Sequence, residues 1–378
     1  MASVSIRPVR TRRERKRFVK VPFHVHRDHP QWVPPLVYER MEFLDPKKNP
    51  WFEHGEAELF VAERDGEPVG RISAQVDYRW DEVQGGSDAM FGFFESVEDR
   101  EVVEALLGAA AGWAAAKGRQ RLLGPMDFTT NDEIGILIEG FERRPYILEN
   151  WHPPHYQQQI EAAGFGKAID LLMWELNFGD LKDGERFDPA IHAAATKALK
   201  DEGVTIRNID KGNLGREMQL FTPVYTDAWS HNWGFVPPTD AEVEFHAKLL
   251  KQVIDEDWAY IAEKDGEAIG AALTLPDINQ VLAKMNGRLL PFGWLHFLLG
   301  RRKIDRLRVL ALGVKNDYRH SGVAAGLYLK HLETAARPGA IEGGEMGWIL
   351  ETNGAMNRAM EGMGGTVVKR YRVYERAL

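Results

Sequence analysis

The 378-residue chain contains no cysteine. That excludes disulfides, thiolate metal sites and a cysteine nucleophile, and it fits a reducing, cytoplasmic compartment. No apolar run approaches the roughly 20 residues needed to span a bilayer. The basic start of the chain is followed by no apolar stretch and no small-residue cleavage site, so no signal peptide is expected. Positive charge is also in deficit: 48 Lys and Arg stand against 56 Asp and Glu, a net charge of −8 that argues against general nucleic-acid affinity. There is no Gly-x-Ser-x-Gly elbow and no Walker loop with its lysine. The pairs His152/His155 and His24/His26 lack carboxylates at ligand spacing, so no metal is expected.

What is present begins with an internal repeat. Phe60-Val-Ala-Glu-Arg-Asp-Gly-Glu-Pro-Val-Gly70 recurs as Tyr260-Ile-Ala-Glu-Lys-Asp-Gly-Glu-Ala-Ile-Gly270. Each copy reads as strand, Asp-Gly turn, strand, the short-range signature of a β-hairpin. Two related halves follow, with domains expected at 1–182 and 188–378, and the 44% hydrophobic content suffices for a core in each.

The chemistry concentrates at 319–324. Arg319-His320-Ser321-Gly322-Val323-Ala324 lies between an apolar strand at 307–314 and a helix reaching from Gly322 to about Ala336. A strand, a short cationic turn and a helix N-terminus make an anion cradle. Unpaired N–H groups point outward, the helix dipole adds positive potential, and Gly322 lets the backbone approach a phosphate. Downstream lie a strand at 347–351, a short helix at 353–364 and an alternating strand at 366–374. The first half runs in parallel, with strands at 90–94, 121–124 and 169–176 and helices at 102–118 and 156–164. Its turn reads Glu95-Ser-Val-Glu98-Asp99-Arg100-Glu101, which would repel a pyrophosphate.

The Arg-x-x-Gly-x-Ala spacing, the hairpins and this order of elements resemble the GNAT acyltransferase superfamily in both halves. The resemblance implies an α/β fold of two tandem GNAT-like domains, each a mixed twisted sheet flanked by helices. The N-terminal copy would be degenerate and the C-terminal copy would bind acyl-CoA as co-substrate. On that plan Arg319 to Ala324 hold the pyrophosphate, and a bulge at Leu312-Gly313-Val314 meets the pantetheine arm and the thioester oxygen. Asn353 and Asn357 meet the cofactor or cap their helix. The family's tyrosine acid falls at Met360, so Tyr371 and Tyr374 become the candidates. Glu351 and His231 are candidate bases, and Trp233, Asp277 and Asn279 candidate acceptor contacts.

The whole chain further resembles a group of bacterial two-domain proteins that includes proposed ceramide synthases. The phrases Trp32-Val-Pro-Pro-Leu36, Asn49-Pro-Trp-Phe52, Trp233-Gly-Phe-Val-Pro237 and Lys369-Arg-Tyr-Arg-Val-Tyr374 carry it. The implied activity is N-acylation of an amine by acyl-CoA, with a long-chain base as the lipidic candidate. The alternatives are a small-molecule N-acetyltransferase and a non-catalytic acyl-CoA-binding scaffold. The apolar segment 289–299, followed by Arg301, Arg302, Lys303 and Arg306, reads as core or as a peripheral contact through 289–303 with the inner membrane surface. Basic residues at 7–20 read as a solvated helix face. Asn131, Asp132 and Glu133 read as an ordinary polar loop or one facing a domain interface.

Overall fold

The computed structural model describes residues 3–179, 189–291, 293–337 and 341–378. The expected boundary at 182–188 lies outside them. The chain forms two compact units: Met1–Leu171 with Val281–Phe297 and Lys369–Leu378, and Leu172–Gln280 with Leu298–Val368.

Strands run in chain order as β1 (Ser5–Pro8), β2 (Gly55–Arg64), β3 (Glu67–Asp77), β4 (Asp88–Ser96), β5 (Arg121–Gly124), β6 (Ile136–Glu139) and β7 (Gly166–Asn177). They continue as β8 (Thr205–Asn208), β9 (Ala259–Lys264), β10 (Glu267–Pro276), β11 (Arg306–Val314), β12 (Gly343–Leu350) and β13 (Thr366–Ala377). In the first unit the order is β1-β2-β3-β4-β5-β13, with β6 also on β13. In the second it is β7-β12-β11-β10-β9-β8. Residues 369–377 of the last strand thus belong to the first unit, and residues 172–177 of β7 to the second.

The two hairpins form as the Asp-Gly turns require. Asp65 and Gly66 have φ of 54° and 83°, and Asp265 and Gly266 have 51° and 83°. Both central residues at positive φ define the turn whose twist matches the flanking strands. β4 pairs with β5 in parallel in the first unit and β11 with β12 in the second, each over a short stretch. In the second unit the Leu214–Trp229 and Val323–Ala335 helices pack on opposite faces. A Cβ at Gly313 would meet Trp229, one at Gly270 would meet Val323, and the register pairs Gly270 with Val314, a residue one step along β11. The core joins Leu327, Tyr260, Ile269, Leu307 and Met360.

The apolar segment is not core. Leu290, Trp294, Leu295, Leu298 and Leu299 are exposed, the last at 63%, on and beside the Gly293–Gly300 helix. Phe292 lies outside the described residues. Among the described residues no helix is long and apolar enough to cross a membrane. Half of the basic residues at 7–20 are paired, Arg7 and Arg17 with Glu63, Arg10 with Glu58 and Arg15 with Asp45, while Arg12, Arg13, Lys16 and Lys20 are exposed.

Candidate active site

β11 and β12 pair in parallel from Arg306/Gly343 to Val309/Met346 and then part. The parting coincides with a bulge. Leu273 faces Ala311 while Thr274 faces Val309, so Leu310 is the extra residue. The expected bulge at 312–314 therefore sits earlier on the strand; Leu312, Gly313 and Val314 pair regularly with Ala272, Ala271 and Gly270. The resemblance implied a bulge on this strand but not its position, because register is set across the sheet. Beyond Val309 the edge of β11 that faced β12 is left open, and no described segment bonds into it.

At the far end of β11 stands the cradle. Gly322 caps the Val323–Ala335 helix in the left-handed region, φ 80°, with no side chain capping the helix. A Cβ there would come within 2.2 Å of the Ala194 carbonyl oxygen, so only glycine fits both the dihedral and the space. Among the described residues the N–H groups of Gly322, Val323, Ala324 and Ala325 have no backbone acceptor. Four free donors at a helix N-terminus make an anion site, and exposed Arg319 and His320 stand beside them. Ser321 Oγ is turned inward, donating to the Tyr318 carbonyl at 2.6 Å. Val323 is buried against the sheet, and Ala324 is half-buried.

The loop carrying His231 and Trp233 is tied to this region. Asn316, just before the cradle, donates its N–H to Asp227 at 2.5 Å and its amide to the Asp227 carbonyl at 2.8 Å. His231 follows four residues on and is exposed; Trp233 is half-buried. Glu351, half-buried, follows the last residue of β12. The cradle, the β11 edge, the His231 loop and the end of β12 are thus brought to one end of the second unit.

Other expected residues are not. Asp277 and Asn279 are buried beside the start of β11, where the Asp277 N–H donates to the Arg306 carbonyl at 2.9 Å. Nine residues of strand, roughly 30 Å at about 3.3 Å each, separate them from the cradle. Tyr371 belongs to the first unit, fully buried, and donates to the Asn150 carbonyl at 2.9 Å. Tyr374 donates to Glu161 at 3.1 Å, and burial holds its hydroxyl firmly protonated. Both hydroxyls are thus engaged within the first unit. Asn353 is the helix cap, accepting from the Met356 N–H at 3.1 Å. Asn357 has both ends of its amide engaged: it accepts from the Trp174 indole at 2.9 Å and donates to the Leu350 carbonyl at 3.1 Å. Met360 is fully buried core.

The first unit repeats this geometry and fills it. β4 and β5 part after Met90/Leu123, and β4 gains an extra residue between Gly92 and Glu95. Into the opening run residues 126–128. The Met126 N–H donates to the Phe91 carbonyl at 2.8 Å, and the Phe93 N–H donates to Asp127 Oδ1 at 2.7 Å. Gln75 clamps the segment through the Met126 and Phe128 carbonyls. An acyl thioester has no room there. The acidic turn resolves into parts: Asp99 caps the Arg100–Ala116 helix, and Arg64 pairs with Asp99 and Glu101.

Glu95, by contrast, is buried on β4 in a cluster that the sequence did not reveal. His26 Nε2 lies 2.6 Å from its carboxylate, the Tyr156 hydroxyl donates at 3.0 Å, and Arg71 stands at 3.7 Å. Burial opposes ionisation, yet His26, Arg71 and His152 hold the Glu95 carboxyl down at about 2. Burial pushes His152 down to about 4 and Asp127 up to about 6. Its members come from positions 26, 71, 95, 152 and 156, with no local spacing to betray them.

No protein-family model matches the chain. Among curated proteins it is 38% identical over 385 residues to the bacterial ceramide synthase of Caulobacter vibrioides, covering 100% of this chain and 98% of that one. It is 37% identical over 379 residues to the protein YghO of Escherichia coli, covering 99% and 95%. Among solved structures it resembles a tandem GNAT protein from the clavulanic acid biosynthesis pathway, with TM-score 0.59, 12% identity and 99% and 98% coverage. It also resembles a GCN5-related N-acetyltransferase from Sphaerobacter thermophilus, with TM-score 0.54, 13% identity and 99% and 95% coverage. The fold is the tandem GNAT fold, and the chain belongs to the family of the bacterial ceramide synthase.

Proposed function

We propose that the protein moves a fatty acyl group from CoA to the amine of a lipidic acceptor, a long-chain base being the first candidate. It is an N-acyltransferase whose chemistry lies in the second repeat, 188–378, while the first, 1–182, keeps the fold without a cofactor. The observation that carries this is the pairing of an open β11 edge with a helix N-terminus that has four free donors, against the filled counterpart in the first unit.

In this reading the N–H groups of Gly322 to Ala325 hold the pyrophosphate, with Arg319 and His320 adding charge. The opened edge of β11 from Leu310 to Gly313 presents backbone donors to the pantetheine arm and to the thioester oxygen, where negative charge develops. His231 takes the proton from the acceptor ammonium, and Glu351 holds that ammonium from the other side of the opening. Such proton transfer contributes typically 10²- to 10⁴-fold. The relative's name supplies the acceptor class: it is called a ceramide synthase. The exposed Gly293–Gly300 helix, followed by exposed Arg301, Arg302 and Lys303, suits an anionic lipid surface, apolar side down and cations at the phosphates.

The test is turnover of palmitoyl-CoA with a long-chain amine, followed by release of the free thiol. The reading expects product amide from the native protein and a loss of at least a hundredfold in kcat for His231→Asn. Native rates reproduced by that variant would remove His231 from the mechanism; absence of product from the native protein with every long-chain amine would remove the acceptor class.

A further inference from the structure

The Leu214–Trp229 helix ends directly over β11. A Cβ at Gly313 would come within 2.2 Å of the Trp229 ring and 2.9 Å of the Ala228 Cβ, so glycine lets the last turn of the helix lie on the strand. Asp227 stands in that last turn, where no basic residue accompanies it. A carboxylate at a helix C-terminus opposes the helix dipole. It also bonds a turn that leads into an anion site, so local preference argues against it twice. A residue that breaks a local rule in this way points to a role beyond its own helix.

That role lies 89 positions along the chain, at Asn316. Asn316 opens the short 3₁₀ turn Asn316–Tyr318, and Lys315 before it provides no side-chain cap. The Asp227 carboxylate provides one, accepting the Asn316 N–H at 2.5 Å. The bonding is returned at the helix end, where carbonyls lack intrahelical partners. The Asp227 carbonyl accepts from Asn316 Nδ2 at 2.8 Å, from Ser230 Oγ at 2.7 Å and from the Ser230 N–H at 3.2 Å. Asn316 Nδ2 also reaches Ser230 Oγ at 3.4 Å. Each element thus caps the other. On its far side the turn runs into the cradle: the Arg319 N–H donates to the Asn316 carbonyl at 3.4 Å, and the Ser321 N–H to the Tyr318 carbonyl at 2.9 Å.

Resting on the acyl-CoA reading above, we propose that Asn316 and Asp227 are positioning residues that make the phosphate cradle and the start of the His231 loop open and close as one piece. A phosphate held at Gly322 fixes the turn before it. Through Asn316 the turn fixes the end of the helix, and His231 follows Asp227 by four residues. The base is thereby held in register with the cofactor, although it touches neither the cradle's donors nor the phosphate they hold.

Hydrogen exchange with acetyl-CoA tests this without an acceptor and without turnover. At a hundred times the dissociation constant, any opening that must release the ligand slows about a hundredfold. In the native protein the amides of 319–325 and those of 228–233 are expected to slow together, each at least tenfold. The double variant Asp227→Ala/Asn316→Ala is expected to keep acetyl-CoA affinity within about threefold and protection at 319–325, while protection at 228–233 falls below twofold. Should that variant fail to fold, Asn316→Ala alone is expected to cut the protection at 228–233 at least threefold. A merely structural loss would speed exchange with and without ligand alike and leave the ligand's reach unchanged. Protection confined to 319–325 in the native protein, or reaching 228–233 undiminished in the variants, would overturn the positioning assignment and leave the cofactor site standing. A loss of acetyl-CoA affinity beyond tenfold in Asn316→Ala would overturn it too, by making Asn316 part of the cradle itself. Failure of the native protein to bind acetyl-CoA would overturn the cofactor reading, and the coupling with it.

Discussion

Asp127 offers the sharpest test of why the first unit carries no cofactor. Its carboxylate is 7% exposed and accepts the Phe93 N–H at 2.7 Å, standing where a thioester oxygen would lie in an open copy. Burial outweighs the nearby Arg40 and Arg71 and lifts its pKa from 3.8 to about 6. Each unit is worth about 1.4 kcal/mol, so the shift amounts to roughly 3 kcal/mol. Folded Asp127 holds its proton where the unfolded chain has released it. Its contribution is thus fully present below pH 3.8 and is lost as pH rises to about 6. Asp127→Asn keeps an oxygen for Phe93 and has no ionisation to suppress. Relative to the native protein, the variant should gain roughly 2.4 kcal/mol between pH 4 and pH 7.5, the rest of the effect lying below pH 4, read from urea midpoints at both. The native carboxylate need not be good for stability; it excludes ligand. An equal difference between the two proteins at both pH values would mean that Asp127 ionises as in water and that the opening is solvated rather than filled.

Two further expectations follow from buried and exposed groups. Burial outweighs the bond to the Leu327 carbonyl and presses His331 from 6.5 to about 4, so its contribution to stability is full above pH 6.5 and is lost as pH falls towards 4. The double variant Thr274→Val/His331→Phe should flatten that part of the acid limb, and a slope identical to native would contradict a neutral, buried imidazole. On the surface, Leu298→Glu with Leu299→Glu should abolish sedimentation with anionic vesicles while moving stability by no more than about 0.5 kcal/mol, since both side chains are exposed. Retained vesicle binding would remove the Gly293–Gly300 helix as a lipid contact.

The hairpins were legible because an Asp-Gly turn needs two residues at positive φ, and the residues that tolerate it announce themselves in a few positions. The cradle was legible for the same reason, through Gly322. The 289–299 run was not, because periodicity cannot distinguish an apolar segment that packs inside from one left outside; exposure of Leu290 and Leu299 decided it. The site residues divided along a similar line. Residues 319–324 and His231 fall at one end of the second unit because they flank elements the sequence identified. Tyr371 escaped because its strand completes the first unit's sheet, a pairing made over hundreds of residues. Asp277 lies elsewhere because β10 runs antiparallel to β11, so the residues after it end beside the start of β11, away from the cradle. The Glu95 cluster and Asp127 were invisible for want of any local pattern: partners drawn from distant segments meet only once the sheet exists.

Thermal unfolding with CoA, acetyl-CoA and palmitoyl-CoA tests the cradle most directly. At a hundred times its dissociation constant a ligand adds about 2.7 kcal/mol, a shift that is readily measured. Stabilisation by all three, abolished in Arg319→Glu, is the predicted result. Stabilisation that survives Arg319→Glu undiminished, or no stabilisation of the native protein by any of them, would contradict it.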